Sequence, residues 1–219
     1  MKRKSSTTLA AAALAALLLS GQAAAQNSGW YMGGGPSASR AKFERGDFVG
    51  LANATTYSAD DTDVGIKVFG GYTLSPNVAL EFGVASLGRF QHRFSSGAGN
   101  YAVFNYDASA ATVGIAGTLP LGGGFALQAR AGVAFTAARL QLASSNGSVT
   151  VNSTQCMNSF FDDCIATSTN LMWGVGAQYD VNSRWGMRLD YDNYGKVGDE
   201  FETGRAKIDA WSANVVFRF

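Results

Sequence analysis

Apolar residues alternate with small or polar residues in one segment of the chain after another. In RWGMRLDYD, residues 184–192, every second residue is apolar or aromatic and the residues between them are glycine or charged. Successive side chains of a β-strand point to opposite faces, so this alternation predicts a strand with two unlike faces. Similar segments cover about residues 29–40, 64–72, 78–85, 112–119, 125–136, 171–180 and 210–219. The pattern therefore predicts eight strands.

The connections between these segments alternate in length. Three are short, at 75–77, 120–124 and 181–183, and four are long and polar, at about 41–61, 90–100, 141–167 and 195–205. Short turns at one end and long loops at the other are typical of an antiparallel up-and-down sheet. An even number of strands returns both termini to the end with the short turns.

Two closed eight-stranded architectures fit this sheet. One is a soluble barrel with an apolar cavity, as in lipocalins, and the other is a transmembrane barrel with an apolar exterior and a polar interior. Glycines share a face with the charged residues in this chain. Because the interior of an eight-stranded barrel is only just wide enough for side chains, long charged groups fit there when their neighbours are small. The pattern favours the transmembrane barrel, with short periplasmic turns and long extracellular loops.

The charged residues of the small-residue face are predicted to meet inside the barrel. Counted from the short turns, Glu81 and Arg188 lie about four residues up, and Lys67, Arg130 and Asp190 about six to eight, which is one layer for tilted strands. Unpaired charges in a narrow interior are costly. We therefore expect a network of Glu81, Arg130, Arg188 and Asp190 with Lys67 at its margin. It is either a fixed plug or a gate that opens when ion pairs exchange partners.

Aromatic residues are concentrated near the predicted strand ends. Tryptophan and tyrosine are enriched where strands cross the two membrane interfaces, although ordinary core aromatics are an alternative explanation. The predicted interface residues are Trp30, Tyr72, Tyr179 and Trp185 near the short turns and Trp173, Tyr191 and Trp211 toward the other end.

The N-terminus has the three parts of a secretory signal peptide. Basic residues 2–4 precede eleven Ala and Leu residues at 9–19, and Ala23–Ala25 supply a small-residue cleavage site. The apolar run is too short to span a bilayer as a helix, which takes about 20 residues. We expect residues 1–25 to be removed and residues 26–219 to form one barrel domain.

Composition and cysteines agree with export. Charged residues are 15% of the chain, below the roughly 25% of soluble domains. Removing the three basic residues of the leader from the 17 leaves 14 against 16 acidic residues, and no basic patch points to nucleic acid. Cys156 and Cys164 are predicted to form a disulfide worth roughly 2–3 kcal/mol. A metal pair would need a nearby His or third Cys, and a redox pair normally has two intervening residues, not seven.

The chain resembles the OmpA-type small outer-membrane barrels. The resemblance rests on Gly29–Trp30–Tyr31, on 68–72 before a short turn, and on the terminal 215–219, VVFRF. It implies a monomer in the bacterial outer membrane, in contact with the lipid bilayer and lipopolysaccharide. It also implies that Phe217 and Phe219 are recognised by the outer-membrane insertion machinery. We expect no peptidoglycan-binding domain after Phe219.

Candidate chemistry is sparse. Some outer-membrane barrels modify lipid A, but a Ser/His hydrolase needs a histidine beside its nucleophile, and His92, at a predicted loop start or strand rim, lacks the His-x-Ser arrangement. The acidic loop pairs lack the spacing of a Ca²⁺ site. We therefore expect no catalytic site, cofactor or metal. A structural or surface-exposed role in membrane integrity or adhesion is favoured, with host or phage contact through the loops. A narrow gated pore is the alternative, and a lipid A-modifying enzyme is third.

Overall fold

The part of the chain that the structure describes folds into nine β-strands, all antiparallel to their neighbours. The computed structural model describes residues 29–42, 56–60, 62–95, 101–146, 163–198 and 206–219. Within these ranges, no helix is both long enough and apolar enough to cross a membrane. The strands are β1 Trp30–Lys42, β2 Thr56–Asp60, β3 Thr62–Ser75, β4 Val78–Ser95, β5 Tyr101–Gly122, β6 Phe125–Asn146, β7 Asp163–Asp180, β8 Trp185–Val197 and β9 Ala206–Arg218.

The strands close into an eight-stranded barrel. β1 pairs with both β3 and β9, and β4 pairs with β5, so the sheet has no free end. β3 pairs with β4 as far as Lys67 opposite Ala85, and β2 pairs with β4 from Asp60 opposite Gln91. β2 and β3 thus share one position in the barrel wall. The up-and-down barrel predicted from the alternation is confirmed.

The outer face of the barrel is apolar. Large hydrophobic side chains point outward from the strands at all eight positions around the barrel wall. They include Leu171, which is 83% exposed, and Val64, which is 70% exposed. Charged residues such as Arg188 and Asp190 are buried inside, at 2% and 0%. A soluble lipocalin-like barrel would have the opposite arrangement, so the structure supports the transmembrane barrel.

The short turns, the start of β1 and the C-terminal Phe219 lie at one end of the barrel. The turns are Pro76–Asn77, Gly123–Gly124 and residues 181–184. Gly123 and Gly124 have φ values of 62° and 84°, which L side chains rarely adopt. The N–H of Phe219 donates to the carbonyl of Trp30 at 3.1 Å. This brings the end of the chain beside the start of β1, as an even number of strands requires.

The strands extend into segments that the sequence pattern predicts as loops. β4 continues to Ser95 and β5 begins at Tyr101, so the predicted loop at 90–100 is largely strand. Two irregularities interrupt the alternation of inward and outward residues in the extended strands. The β4–β5 register shifts between Ser86 and Gly88, and the β8–β9 register shifts between Asn193 and Lys196. Because each shift exchanges the inward and outward positions, a regular period of two does not continue through it.

Candidate functional site in the barrel lumen

Six charged side chains meet across the lumen near its middle. Three are cations, Lys67, Arg130 and Arg188, and three are anions, Glu81, Asp190 and Asp192. Each is at most 8% exposed. β8 supplies three of them at alternate, inward positions, and β3, β4 and β6 supply the others. We call this set the charged layer. Its formal charge is zero, as a group of buried charges requires.

Arg188 connects the two walls of the lumen. Its Nη1 donates to Glu81 Oε1 at 2.6 Å and to Gln128 Oε1 at 2.9 Å. Its Nε donates to Asp190 Oδ2 on its own strand at 3.0 Å. The guanidinium also lies 3.8 Å from the ring centroid of Phe69, in cation–π contact. Arg188 is therefore held from four directions.

Arg130 and Lys67 both bind the two aspartates of β8. Arg130 Nη2 lies 3.0 Å from Asp190 Oδ1 and 2.9 Å from Asp192 Oδ1. Lys67 Nζ lies 3.2 Å from Asp190 Oδ2 and 2.5 Å from Asp192 Oδ2. Arg130 Nη1 is 3.7 Å from Glu81 Oε2, which is an ionic contact beyond hydrogen-bond range. Arg130 thus contacts all three anions.

The structure brings all five residues of the predicted network together, with two differences. Lys67 was expected at the margin but contacts both aspartates of β8. Asp192 and Tyr31 were not predicted, although Tyr31 donates its hydroxyl proton to Glu81 Oε1 at 2.8 Å. Asp192 carried a usable signal, because it continues the inward alternation of Arg188 and Asp190. Tyr31 carried none, since its segment is rich in glycine on both faces.

Glycines on β7 make the space for the two aspartates. A Cβ atom on Gly174 would lie 2.2 Å from Asp192 Oδ1, and a Cβ on Gly176 would lie 2.3 Å from Asp190 Oδ1. Real Cβ atoms essentially never approach a heavy atom so closely. The predicted combination of small and charged residues on one face therefore has a direct steric cause here.

A vestibule with polar and apolar walls extends from the short-turn end toward the charged layer. A cavity of about 380 Å³ lies there, lined by residues that include Tyr31, Gln128 and Gln178. Gln128 Nε2 donates to Gln178 Oε1 at 3.0 Å, and Gln178 Nε2 donates to Asp180 Oδ1 at 2.8 Å. Asp180 in turn pairs with Arg218 at 2.6 Å. The polar side chains thus continue from the charged layer to the rim.

The lumen beyond the charged layer, toward the loop end, is mostly apolar, with a few buried polar groups such as Thr136. Large side chains that are almost completely shielded from solvent fill it, and alanines from the surrounding strands pack between them. Tyr106 donates its hydroxyl proton to the carbonyl of Val197 at 2.9 Å, so even its polar atom is satisfied within this region. We call this set the apolar layer: Leu87, Phe90, Tyr106, Met172, Tyr194, Val197 and Ile208.

A small cavity of about 30 Å³ lies between the two layers. It is lined by both charged and apolar residues, among them Lys67, Arg130, Met172 and Tyr194. This volume is about that of one water molecule. Within the described part of the chain, Arg130 Nε and Nη1 and Arg188 Nη2 are buried with no hydrogen-bond acceptor. Arg130, which lines this cavity, thus has donors without an acceptor beside a space large enough for one water.

The predicted interface aromatics lie on the outer wall. Trp30, Tyr72, Tyr179 and Trp185 are exposed near the short-turn end. Trp185 stacks on Phe217 with ring centroids 4.8 Å apart, and Phe217 contacts Phe219 at 5.2 Å. Toward the loop end, Tyr191 lies between two tryptophans, at 5.7 Å from Trp173 and 5.1 Å from Trp211. The two groups are separated along the barrel axis.

Three predictions concern residues outside the described ranges or side chains that the structure does not describe. Residues 1–25 lie before the first described residue. Cys156 lies outside the described residues, while the backbone of Cys164 is in β7 opposite Leu140, so the disulfide stays a prediction. His92 is in β4, with its backbone opposite Ala59 and Phe104. Its place is therefore near the end of a strand, which agrees with the predicted strand rim and not with the predicted loop start.

A closed antiparallel barrel with an apolar exterior and a charged lumen defines the class of bacterial outer-membrane barrel proteins. The family model for the OmpA-like transmembrane domain matches residues 25–219. The chain belongs to this family, as its resemblance implied, and it is located in the bacterial outer membrane. No curated protein sequence matches it significantly.

Solved structures share the fold at low sequence identity. OprG from Pseudomonas aeruginosa is 14% identical over 89% of this chain and 98% of its own, with a TM-score of 0.54. Ail, the attachment invasion locus protein of Yersinia pestis, is 15% identical over 89% of this chain and all of its own, with a TM-score of 0.50. A second Ail structure, in complex with the heparin analogue sucrose octasulfate, is 14% identical over the same shares, 89% and 100%, and has a TM-score of 0.51.

Proposed function

We propose that this protein is a non-conducting outer-membrane barrel with a structural or surface-exposed role. The observation that carries the proposal is the pair of successive layers in the lumen. An ion entering from the short-turn end meets a neutral, bonded set of six charges and then the apolar layer, where Leu87 and Phe90 are fully buried. An ion would lose its hydration in the second layer, where buried polar groups such as Thr136 are few and already hydrogen-bonded.

A narrow gated pore is the second candidate. The vestibule of about 380 Å³ supports it, since this cavity is lined by Tyr31 and Gln128, which bind Glu81 and Arg188 of the charged layer. Arg130 also supports it, because its contacts with Glu81, Asp190 and Asp192 are unequal in length. A cation that contacts three anions can move between them at little cost. Such an exchange would rearrange the charged layer but would leave the apolar layer in place.

Planar-bilayer conductance separates the two candidates. The variants are Arg130→Gln, which weakens the charged layer, and Leu87→Ser with Phe90→Ser, which makes the apolar layer polar. Arg218→Gln at the half-buried rim pair is the matched control. We expect no conductance steps from the wild type, from Arg130→Gln or from the control. Steps that appear with Arg130→Gln alone would support the gate, because the apolar layer would then be no barrier.

The surface role is proposed to reside in the residues between strands at the loop end. Ail shares the fold and has been crystallised with a heparin analogue, which makes contact with an extracellular ligand the first surface role to test. Replacing residues 147–162 by a short Gly-Ser linker leaves both strand ends, Asn146 and Asp163, in place. We expect binding of the bacterium to host cells to fall while the barrel stays folded. Unchanged binding would point to membrane integrity instead.

We propose no enzymatic role. Within the described ranges, no group of three or more His, Cys, Asp and Glu side chains is placed to hold a metal ion. A lipid A hydrolase is the specific activity to test, with purified protein, lipid A and mass spectrometry of the product. We expect the lipid to keep all its acyl chains. Loss of a chain that stops in a His92→Ala variant would contradict the proposal.

A further inference from the structure

The vestibule has the size and the wall chemistry of a small-molecule site. Its volume is about 380 Å³, and such sites usually have roughly 300–1,000 Å³. Polar side chains such as Gln128 and Gln178 share its wall with small ones such as Ala79 and Ala126. The turn residue Pro76 borders it, so it lies at the end of the barrel that faces the periplasm. A periplasmic solute can therefore reach it without crossing the charged layer.

The ion pair at the rim of the vestibule has bonding capacity to spare. Asp180 Oδ1 accepts hydrogen bonds from Gln178 Nε2 at 2.8 Å and from Arg218 Nη2 at 2.6 Å. Among the residues that the structure describes, Asp180 Oδ2 and Arg218 Nε and Nη1 have no partner. Both side chains are about one third exposed. An unused carboxylate acceptor and unused guanidinium donors thus lie side by side on the cavity wall.

An aromatic ring lines the inner end of the vestibule. The hydroxyl of Tyr31 donates to Glu81 Oε1 at 2.8 Å. The ring of Tyr31 also lies so close to Gly71 that a Cβ atom there would overlap it. The ring is therefore held at both its hydroxyl and its carbon atoms. It offers the cavity a fixed apolar surface near the polar groups of the wall.

The charges around the vestibule favour a neutral solute. Asp180 is paired with Arg218, and Glu81 is paired with Arg188. A charged solute would lose hydration and find no free counter-ion. The unused groups include both donors and acceptors, and a hydroxyl group both donates and accepts. A sugar ring combines neighbouring hydroxyls with an apolar C–H face, which can pack against an aromatic ring.

We propose that the vestibule binds a neutral monosaccharide from the periplasm. Neighbouring hydroxyls of the sugar bond to Asp180 Oδ2 and to the free donors of Arg218, and its C–H face packs against Tyr31. The proposal rests on the outer-membrane location of the barrel. It is independent of whether the lumen conducts, because the vestibule lies before both the charged layer and the apolar layer.

The test is an NMR titration of the isotope-labelled barrel with glucose. Phosphocholine micelles are used, because alkyl maltoside detergents would themselves supply a sugar. We expect the amide signals of Thr73, Thr118 and Gln178 to shift and to saturate with a dissociation constant on the order of 1 mM. The amide of Arg89, at the loop end, should not shift. Absence of a saturable shift up to about 100 mM glucose would overturn the proposal.

Other solutes test the chemistry of the ligand. Glucosamine adds a cation and glucose 6-phosphate adds an anion, whereas glycerol has neighbouring hydroxyls without a ring. Each should bind at least about tenfold more weakly than glucose, since charge costs desolvation here and glycerol cannot cover the Tyr31 ring. Affinity equal to that of glucose for any of the three would overturn the proposal.

Variants test the residues. Asp180→Asn keeps the size of the side chain but removes its charge, and should weaken glucose binding about tenfold. Tyr31→Leu removes the ring and should weaken binding about fivefold, whereas Tyr31→Phe keeps the ring and should bind as the wild type does. The control is Asp107→Asn at the loop end, where no change is expected.

Folding of each variant is checked by heat-modifiable gel migration. Asp180 is at the half-exposed rim, so Asp180→Asn carries the test if Tyr31→Leu does not fold. Unchanged glucose affinity in Asp180→Asn, or in a folded Tyr31→Leu, would overturn the proposal. Equal weakening in Asp107→Asn would also overturn it, because the effect would then not come from the vestibule.

Discussion

Arg188 illustrates how a single residue holds the lumen together. It is 2% exposed and binds one anion from the facing wall, Glu81, and one from its own strand, Asp190. Each charge in this environment depends on its partners, because none of them can be hydrated by bulk water. Removing one partner of a buried pair leaves the other charge buried without a counter-ion. The resulting loss of stability is therefore larger than the net stability that the intact pair contributes relative to apolar residues in both places.

Replacing Arg188→Met is expected to lower the free energy of unfolding by about 3 kcal/mol or more, since Glu81 and Asp190 would lose a buried cation. Urea titration of the protein folded into lipid vesicles measures this change. The control is Arg218→Met, which breaks the pair with Asp180. That pair is about one third exposed, so a loss below about 1 kcal/mol is expected. Equal losses would show that burial does not set the strength of these pairs.

Two glycine substitutions test whether space on β7 is necessary for the charged layer. An alanine Cβ at Gly176 would lie 2.3 Å from Asp190 Oδ1, whereas at Gly117 the nearest atom would be 3.9 Å away. Gly176→Ala is expected to destabilise the barrel by roughly 1–3 kcal/mol, as overpacking does. Gly117→Ala should change stability by less than about 0.5 kcal/mol. The same vesicle titration compares them, and a neutral Gly176→Ala would mean that Asp190 can move freely.

At the level of the strands, the sequence pattern predicts faces well and irregularities poorly. Alternation in 184–192 correctly assigns Arg188 and Asp190 to the lumen and Met187 and Leu189 to the exterior. The bulge at Gly88, with φ of 96°, brings Phe90 inward and leaves Arg89 outward. A bulge depends on the pairing of two strands, which one segment of sequence does not contain. The apolar layer could not be predicted for this reason.

The same bulge leaves a backbone group that a side chain satisfies. Between the Lys67–Ala85 pair and the Asp60–Gln91 pair, the described residues of β3 and β4 form no ladder pairs. There the N–H of Arg89 donates to Asp63 Oδ2 at 2.6 Å. The carboxylate replaces the carbonyl that a regular neighbouring strand would provide.

Asp63→Ala is expected to expose the Arg89 amide, because the described residues offer it no other acceptor. Its hydrogen–deuterium exchange, measured by NMR in detergent micelles, should become at least tenfold faster, a change of about 1.4 kcal/mol in local opening. Asp107→Ala is the matched control, since it removes the partner of the Arg89 side chain and leaves the amide bond to Asp63 intact. Faster exchange in the control alone would mean that the side-chain pair protects this amide.

At the scale of the whole molecule, the residues of the charged layer could be predicted because the fold determines which side chains share the lumen. Once the strands and faces are assigned, Glu81, Arg130 and Arg188 must share one narrow space, and their pairing follows from the cost of isolated charge. The detailed pairing does not follow. Lys67 of β3 contacts both aspartates of β8, and the alternation along either strand does not specify which residues of two strands that are not neighbours meet in the lumen.

The closed barrel as a unit should resist detergent denaturation until it is heated. We expect unboiled protein extracted from membranes to migrate differently from boiled protein on a gel, with Arg188→Met converting at a lower temperature than the wild type. Arg218→Met should convert near the wild-type temperature, since its pair is at the rim. Identical migration before and after boiling, with the protein recovered from the soluble periplasm, would contradict the transmembrane barrel.

The charged layer also constrains the order in which the barrel assembles. Lys67 and Glu81 come early in the chain, whereas their partners Asp192 and Arg188 are 125 and 107 residues further on. Contacts over such separations form late, because a long stretch of chain must first be brought to closure. Until β1 meets β9, Lys67 and Glu81 are separated from their partners on β8 and face water. The last strand pairing and the neutralisation of the interior are therefore coupled, and a barrel stalled before that step would differ from the finished one in hydration as much as in shape.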